Sequence, residues 1–363
     1  MEKQKTSELS EKSISRRDFL NAGGVVVLSA VLFNSLVSCN AKTATSAITL
    51  KYADQNAEDG WEGSHAATPW LNQIEDSTHG AIKFERFFSQ SLFKGTDAWE
   101  SLKARQADVA WCFHGYWANL TPLADVIALP FLPVPSAEKG SEVLWKLYEK
   151  YPSIQKQFEA NKVVLTWTSN PYFLATTKKQ VKTLADLGGL RIRTTGGPPT
   201  DMMKALGAIP ISMGMPDIYE NLEKGVIDGA LLTWEPLYTF KLYEKVKYIT
   251  HAPFHVVYFT QSFNTKSWDS LSAEVQEEIM SVSGLTGSKF WGKNMYDIAE
   301  PEVRNIIKQN NYELEEYSVP DDELTRWKEI SGTPLWESWV KAREVNGSTE
   351  ARDILNTALN LLK

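Results

Sequence analysis

The sequence predicts an α/β protein built from two lobes. The chain has 363 residues, which exceeds one typical domain and allows one large or two medium ones. Apolar runs at strand spacing alternate with runs at helical spacing along most of its length. The segment 188–236 shows this alternation most clearly, as strand, helix, strand, helix and strand. Such alternation is typical of parallel sheets covered by helices, and it excludes an all-β or bundle fold.

The five elements of segment 188–236 follow from local signals. Leu190 and Ile192 have the period-two spacing of a strand. Pro199 suits the first turn of a helix, and Gly207 is a typical helix end. The segment continues with a strand at 209–213, a helix at 215–225 and a strand at 226–232.

The carboxyl ends of these strands are the predicted ligand edge, because open α/β sheets bind ligands there. Arg193 lies at the end of the first strand, and Trp234 and Glu235 follow the third. We therefore expect a cation and a polar–aromatic pair to face one crevice.

The other elements extend the alternation to both ends of the chain. Strands are predicted at 48–52, 81–88, 107–113, 163–167 and 256–263, and helices at 61–77, 95–103 and 136–151. A helix with breaks runs from Ser272 to Asn310, and a helical tail begins at Pro320. The turn ending at Tyr116 follows a strand, where ligand loops belong.

The first 39 residues are predicted to be an export signal. Arg16 and Arg17 give it the form of a twin-arginine signal, an apolar stretch follows, and residues 36–39 resemble a bacterial lipobox. A single membrane anchor is the alternative, since about 20 apolar residues can span a bilayer. The twin arginine and the cysteine favour cleavage, lipidation of Cys39 and attachment to a membrane through the lipid, with 40–46 as a tether.

Charge and cysteine content exclude several protein classes. The formal charge is −7, and an acidic body without a basic run argues against nucleic acid as a partner. With Cys39 lipidated, only Cys112 remains, so neither a disulfide within the chain nor a cysteine-based zinc site can form. The five histidines show no metal-binding spacing. No metal site is predicted.

Several motifs, in order, resemble one protein family. They are Ala107-Asp108-Val109-Ala110-Trp111, Leu129-Pro130-Phe131-Leu132, Gly189-Leu190-Arg191-Ile192-Arg193, Leu206-Gly207-Ala208-Ile209-Pro210, Gly225-Val226-Ile227-Asp228-Gly229 and Trp268-Asp269-Ser270-Leu271. Across about residues 47–310 the chain resembles the solute-binding proteins of tripartite ATP-independent periplasmic (TRAP) transporters, the DctP-like group.

The resemblance implies a two-lobed, periplasmic-binding-protein-like fold with crossing strands and a long connecting helix. Lobe I would comprise 47–170 and about 259–298; lobe II would comprise 171–258 and about 299–363, with the C-terminal helices. The protein would capture a small organic acid in the periplasm and deliver it to TRAP membrane subunits. It would not be an enzyme.

The resemblance also implies an anchor for the acid. The last arginine of the family's K-I-R motif is Arg193 here, and a guanidinium binds a carboxylate through two parallel hydrogen bonds. The alternative for Arg193 is a surface or interlobe salt bridge, whereas Arg191 is expected to be structural. Some acid-binding members carry a second basic anchor where this chain has Phe173, so we expect a monocarboxylate.

Further departures from the family suggest an apolar or aromatic ligand. Trp234 is placed to stack on it. Glu235 could accept a hydrogen bond from a ligand hydroxyl, hold a sodium or calcium ion beside the acid, or form a hinge salt bridge. Additional lining candidates, with core packing as their alternative, are Tyr116, Trp61, Tyr172 and Tyr258.

Two other functions remain open at this point. An exported enzyme acting on a small carboxylate would need a catalytic constellation, and the chain has no GxSxG, supported Cys–His pair or glycine-rich phosphate loop. A sensor-associated binding protein would keep the same site and change only the partner.

Overall fold

Two β-sheets organise the residues that the computed structural model describes, 47–363. The predicted export signal, Cys39 and the tether at 40–46 lie outside these residues. Within 47–363, no helix is both long and apolar enough to cross a bilayer.

The first sheet has five strands in the order β2-β1-β3-β10-β4. β1 is parallel to β2 and β3, whereas β10 runs antiparallel to both of its neighbours. The strands are β1 (Ile48–Ala53), β2 (Ile82–Phe87), β3 (Val109–Phe113), β4 (Asn161–Thr168) and β10 (Tyr258–Asn264).

The second sheet has six strands in the order β11-β9-β5-β8-β6-β7. Its strands are β5 (Phe173–Thr176), β6 (Arg191–Thr194), β7 (Ile209–Ser212), β8 (Gly229–Leu232), β9 (Tyr248–His251) and β11 (Glu315–Ser318). β6 is parallel to β7 and to β8. The predicted strand–helix–strand–helix–strand unit is therefore present, with β6 between the other two strands.

Helices cover both sheets. They are α1 (Thr68–Ser77), α2 (Ala98–Lys103), α3 (Ala137–Lys150), α4 (Pro152–Gln157), α5 (Leu184–Leu187), α6 (Pro198–Ala205), α7 (Ile218–Glu223), α8 (Trp234–Thr239), α9 (Thr265–Asp269), α10 (Ala273–Ser281), α11 (Gly284–Gly292), α12 (Ala299–Gln309), α13 (Asp321–Ser331), α14 (Thr333–Val345) and α15 (Ala351–Leu361). Single helical turns lie at 63–67, 95–97, 114–116, 124–128, 215–217, 242–244 and 293–297.

Two extended segments cross between the sheets. One joins β4 to β5 and the other joins β9 to β10, and they are tied together by the backbone bonds Tyr172 N to His255 O (2.8 Å) and Ser169 N to Val257 O (3.0 Å). α11 packs on α3 and β4 of the first sheet, and α12 packs on α8 of the second. The predicted α/β fold with two lobes, crossing segments and a long connecting helical region is confirmed.

The C-terminal helices divide between the two lobes. α13 contacts α6 beside the second sheet, whereas α15 packs on α3 beside the first. The indole Nε1 groups of Trp336 and Trp339, both in α14, donate to the carbonyl oxygens of Pro130 (2.7 Å) and Pro122 (3.1 Å). The sequence placed this whole tail with lobe II; the structure places α14 and α15 beside the first sheet, because their apolar residues pack in its core.

Candidate functional site

A small cavity of about 20 Å³ lies between the two sheets. Gln55 and Asn56 follow β1, Phe113 ends β3, and Glu235 lies just beyond β8. Its other lining residues are Trp111, Tyr172, Met215, Pro236, Phe240, Phe259, Met295 and Tyr296. The cavity therefore lies at the carboxyl ends of parallel strands from both lobes, where ligands of α/β proteins bind.

Aromatic rings form one wall of this cavity. The rings of Phe113 and Phe259 stack with centroids 4.8 Å apart. Trp111 and Tyr296 lie against Phe259 at 5.4 and 6.1 Å. Such a layer offers offset-stacking contacts to a flat apolar group.

Arg193 is buried beside the cavity with part of its guanidinium unpaired. Its Nε and Nη2 donate to the carbonyl oxygen of Met213 at 3.2 and 3.1 Å, whereas Nη1 has no acceptor among residues 47–363. Arg193 is not itself on the cavity surface. Its positive charge nevertheless reaches the lining residue Tyr172, where it partly opposes the rise in tyrosine pKa that burial causes. A buried donor without an acceptor costs about 1–3 kcal/mol, so Nη1 is positioned for an acceptor that the described chain does not supply.

Arg191 differs from Arg193 because its guanidinium is paired with a carboxylate. It lies two residues earlier on β6, and its Nη2 and Nε donate to the Asp228 carboxylate at 2.8 and 3.0 Å. That pair is partly exposed. A surface or interlobe salt bridge was the alternative role for Arg193, and Arg193 forms none in the described part of the chain. Arg191 does form such a pair, in keeping with the structural role expected for it.

Three buried carboxyl groups lie at or near the cavity. Glu235 lines the cavity, Asp54 directly follows β1, and Glu62 begins the helical region before α1. Burial raises the pKa of Asp54 and of Glu235 to about 7. Burial, together with the charges of Asp54 and Glu235, raises the pKa of Glu62 well above its usual range.

The three carboxyls differ in their hydrogen bonds, and Asp54 has the most, including one from Asn56 Nδ2 at 3.1 Å. Asp54 accepts from the Tyr52 hydroxyl at 2.5 Å and from the backbone N–H of Asn56 at 2.8 Å. Glu235 Oε1 accepts from the Thr239 hydroxyl at 2.5 Å. Neither oxygen of Glu62 has a donor of good geometry in the described chain, although the Asp54 carboxyl and the Asn56 amide lie beside it and influence its pKa. The sequence did not predict a role for Asp54 or for Glu62. The only signal was that Asp54 is an acidic residue directly after a strand.

Tyr116 bridges the two lobes at the cavity edge. Its hydroxyl donates to Gln55 Oε1 at 2.8 Å and accepts from the backbone N–H of Met215 at 3.1 Å. The backbone N–H of Gly196 donates to the carbonyl oxygen of Gly115 at 2.8 Å alongside it. These bonds join the two lobes at this edge of the cavity.

Two of the predicted ligand residues lie in a different groove. Trp234 and Phe173 pack with ring centroids 5.1 Å apart and line a groove of about 310 Å³ that also includes His251. The Arg304 guanidinium lies 4.6 Å from the centroid of the Trp234 ring. No fully buried charged residue lines this groove, so we place the candidate site at the smaller cavity.

Two more predicted residues are engaged in packing. Trp61 donates from Nε1 to the carbonyl oxygen of Asn294 at 3.0 Å and stacks on His65 at 3.9 Å. The Tyr258 hydroxyl donates to Asp125 Oδ1 at 2.7 Å, in the core of the first lobe. Of the eight predicted ligand residues, the structure brings four to the cavity or its edge, namely Arg193, Glu235, Tyr116 and Tyr172.

No group of three or more His, Cys, Asp or Glu residues within 47–363 is arranged to hold a metal ion. The sodium or calcium ion considered beside Glu235 therefore has no ready-made site of that kind in the described chain.

Residues 53–342 match the family model described as bacterial extracellular solute-binding protein, family 7, or DctP. One similar protein is the 2,3-diketo-L-gulonate-binding periplasmic protein YiaO of Escherichia coli. It is 25% identical over 252 residues, which cover 66% of this chain and 75% of that protein.

Solved structures of high similarity include two TRAP solute-binding proteins. One, from Rhodoferax ferrireducens with copurified benzoate, has a TM-score of 0.81 and 26% identity, covering 87% of this chain and 98% of the other. The second is a marine metagenome protein specific for aromatic acid ligands, solved with 3-hydroxybenzoate. Its TM-score is 0.81 and its identity 26%, covering 88% of this chain and 98% of that one.

Proposed function

The chain belongs to the DctP family of bacterial extracellular solute-binding proteins, and from this premise we propose that it captures an aromatic monocarboxylate between its lobes. As a TRAP solute-binding protein it serves transport from outside the cytoplasm and is not an enzyme. The bound acid would be handed to the membrane subunits of the transporter. A sensor-associated role would use the same site, and neighbouring genes for two membrane subunits would favour transport.

One observation carries the monocarboxylate proposal: the unpaired Nη1 of a fully buried arginine beside the cavity. Arg193 is the only buried Lys or Arg within 47–363. A single desolvated cation balances one carboxylate, and a second carboxylate would enter the cavity without a partner. The indole Nε1 of Trp111, which lines the cavity, also lacks an acceptor in the described chain. Both orphan donors favour an anionic ligand.

The aromatic part of the proposal rests on the cavity wall. Phe113, Phe259 and Tyr296 would take the stacking role that the sequence assigned to Trp234. Benzoate and 3-hydroxybenzoate are the ligands of the two similar solved proteins. We extend that ligand class to this chain as a proposal.

The membrane attachment of the protein is likewise a proposal. Twin-arginine export followed by lipidation of Cys39 would tether it near the membrane subunits. Incorporation of labelled palmitate into the native chain, lost in Cys39→Ser, is the expected result; equal labelling of both would contradict it.

A thermal-shift screen tests the ligand class. Benzoate and related aromatic monocarboxylates are expected to raise the melting temperature, because a ligand at 100 times its dissociation constant adds about 2.7 kcal/mol to stability. Aliphatic monocarboxylates should give smaller shifts, and dicarboxylates such as succinate none. A dicarboxylate that gives the largest shift would contradict the interpretation of Phe173 and of the single buried arginine.

Tyr116→Phe is expected to speed benzoate release by about 5- to 30-fold, since losing a hydrogen bond in a closed cleft costs about 1–2 kcal/mol. The change leaves Gln55 Oε1 and the Met215 N–H unpaired at the lobe contact. Stopped-flow tryptophan fluorescence would measure the release rate.

Tyr148→Phe is the matched control for this change. Tyr148 packs on Trp145 and Phe158, and its hydroxyl makes no hydrogen bond within 47–363. Equal release rates for Tyr116→Phe and the unmodified protein would show that the hydroxyl does not hold the lobes closed.

A further inference from the structure

The three buried carboxyls at or near the cavity have no role in binding a carboxylate. Three acidic side chains beside an acid site would repel the ligand if ionised, and burying them is costly unless they are paired. None of the three has a cation among the groups that set its pKa. A ligand group that donates a hydrogen bond would reduce this cost.

We propose that Glu235, with Glu62 and Asp54 behind it, forms a second subsite that receives a hydrogen-bond donor on the ligand. The acid would then carry a hydroxyl or ammonium group on its ring, away from its carboxylate. This inference rests on the proposed function and narrows its ligand class to donor-bearing aromatic acids.

Glu235 supplies the direct contact in this subsite. It lies at the cavity, at the start of α8, and only its Oε1 has a protein donor within 47–363. Oε2 is left for a ligand. Met215 and Phe240 line the cavity with it and supply no polar side chain.

The presence of Glu62 and Asp54 beside Glu235 is the reason that a ligand donor would be favourable in this subsite. Glu62 is fully buried; neither of its oxygens has a donor of good geometry in the described chain, and the Asp54 carboxyl and the Asn56 amide are its polar neighbours. The charges of Asp54 and of Glu235 both raise the pKa of Glu62. Neither Glu62 nor Asp54 lines the cavity, so a ligand donor would contact Glu235 and thereby reduce the repulsion among the three carboxyls.

The chemistry of a buried carboxyl fits a hydroxyl as well as an ammonium. Burial keeps these carboxyls protonated towards neutral pH, and a protonated carboxyl both donates and accepts. A ligand hydroxyl matches that form, whereas an ammonium would stabilise the ionised form and lower the carboxyl pKa. The shared requirement is a donor on the ligand.

Calorimetry with matched acids tests the subsite. Benzoate would be compared with its hydroxy isomers and with the aminomethyl isomers, which carry an ammonium. The best donor-bearing isomer is expected to bind at least about tenfold more tightly than benzoate, which corresponds to about 1.4 kcal/mol. In Glu235→Met this ratio should fall below about threefold, because methionine keeps the length and removes the acceptor. Glu235→Gln, which keeps one acceptor oxygen, should retain an intermediate ratio.

Glu300→Met is the control, because Glu300 lies in the outer groove away from the cavity. It should leave the ratio unchanged. If Glu235→Met fails to fold, Glu235→Gln decides, since a ratio in it equal to that of the unmodified protein would overturn the subsite.

The outcomes of these experiments distinguish a failure of the donor subsite from a failure of the proposed function. Benzoate bound as tightly as every donor-bearing isomer would overturn the subsite and leave the proposed function standing. Failure of all aromatic acids to bind would remove the proposed function itself. Binding that requires added sodium or calcium would assign the carboxyls to a cation and also overturn the subsite.

Discussion

Arg193→Ala is expected to weaken benzoate binding by at least about 30-fold, or about 2 kcal/mol, because the ligand carboxylate would lie desolvated without its cation. The structure gives this residue no competing partner for Nη1 within 47–363. Arg193→Lys keeps the charge but loses the planar fork, so an intermediate affinity is expected.

Arg191→Ala is the matched control for this prediction. It removes the same side chain two positions earlier on β6, where a partly exposed pair with Asp228 is worth at most about 1 kcal/mol of stability. Its benzoate affinity should equal that of the unmodified protein. Equal dissociation constants for Arg193→Ala and Arg191→Ala in calorimetry would remove Arg193 from the site.

The ligand-free protein is expected to lose stability as the pH rises from 5 to 8. The folded-state pKa of Asp54 and of Glu235 is about 7, raised by burial. Between their unfolded and folded pKa values, the folded chain holds protons that the unfolded chain has released, so stability falls with rising pH. One such carboxyl contributes a decrease of about 3 kcal/mol across that window.

Urea unfolding at pH 5 and pH 8 would measure this change. Glu235→Gln should reduce the loss of unfolding free energy between pH 5 and pH 8 by the contribution of Glu235, since an amide does not titrate. Surface carboxyls such as Asp186, whose pKa is lowered to about 2 by its bond with Lys179, change the unfolding free energy only at lower pH. A stability that stays constant or rises between pH 5 and 8 would show that the carboxyls are hydrated and ionised.

Local periodicity was enough to predict the unit around Arg193. Leu190 and Ile192, the proline after them and the glycine at the helix end are signals within a few residues of each other, and β6, α6 and β7 follow from them. The strand β11 was missed because its sequence, Glu315–Ser318, is polar and mostly exposed. Its pairing with β9 depends on a contact distant in sequence.

The direction of single side chains within the site could not be predicted. Consecutive helical residues point about 100° apart, so only one of Trp234 and Glu235 can face the cavity. The sequence favoured Trp234 for stacking, but the structure turns it towards Arg304 and leaves Glu235 at the cavity. The same division occurs at Trp61 and Glu62, where the glutamate is the residue coupled to the cavity carboxyls. Packing of α8 and α12 decides this, and no local pattern encodes it.

Calorimetric titration of the protein with benzoate and with benzamide tests most directly whether Arg193 receives the ligand carboxylate. Both ligands have the same ring, and only benzoate carries the charge that Arg193 would receive. We expect one benzoate per chain, at micromolar or tighter affinity, and no measurable heat from benzamide. Equal binding of benzamide, or tighter binding of succinate than of benzoate, would contradict capture of an aromatic monocarboxylate by this cavity.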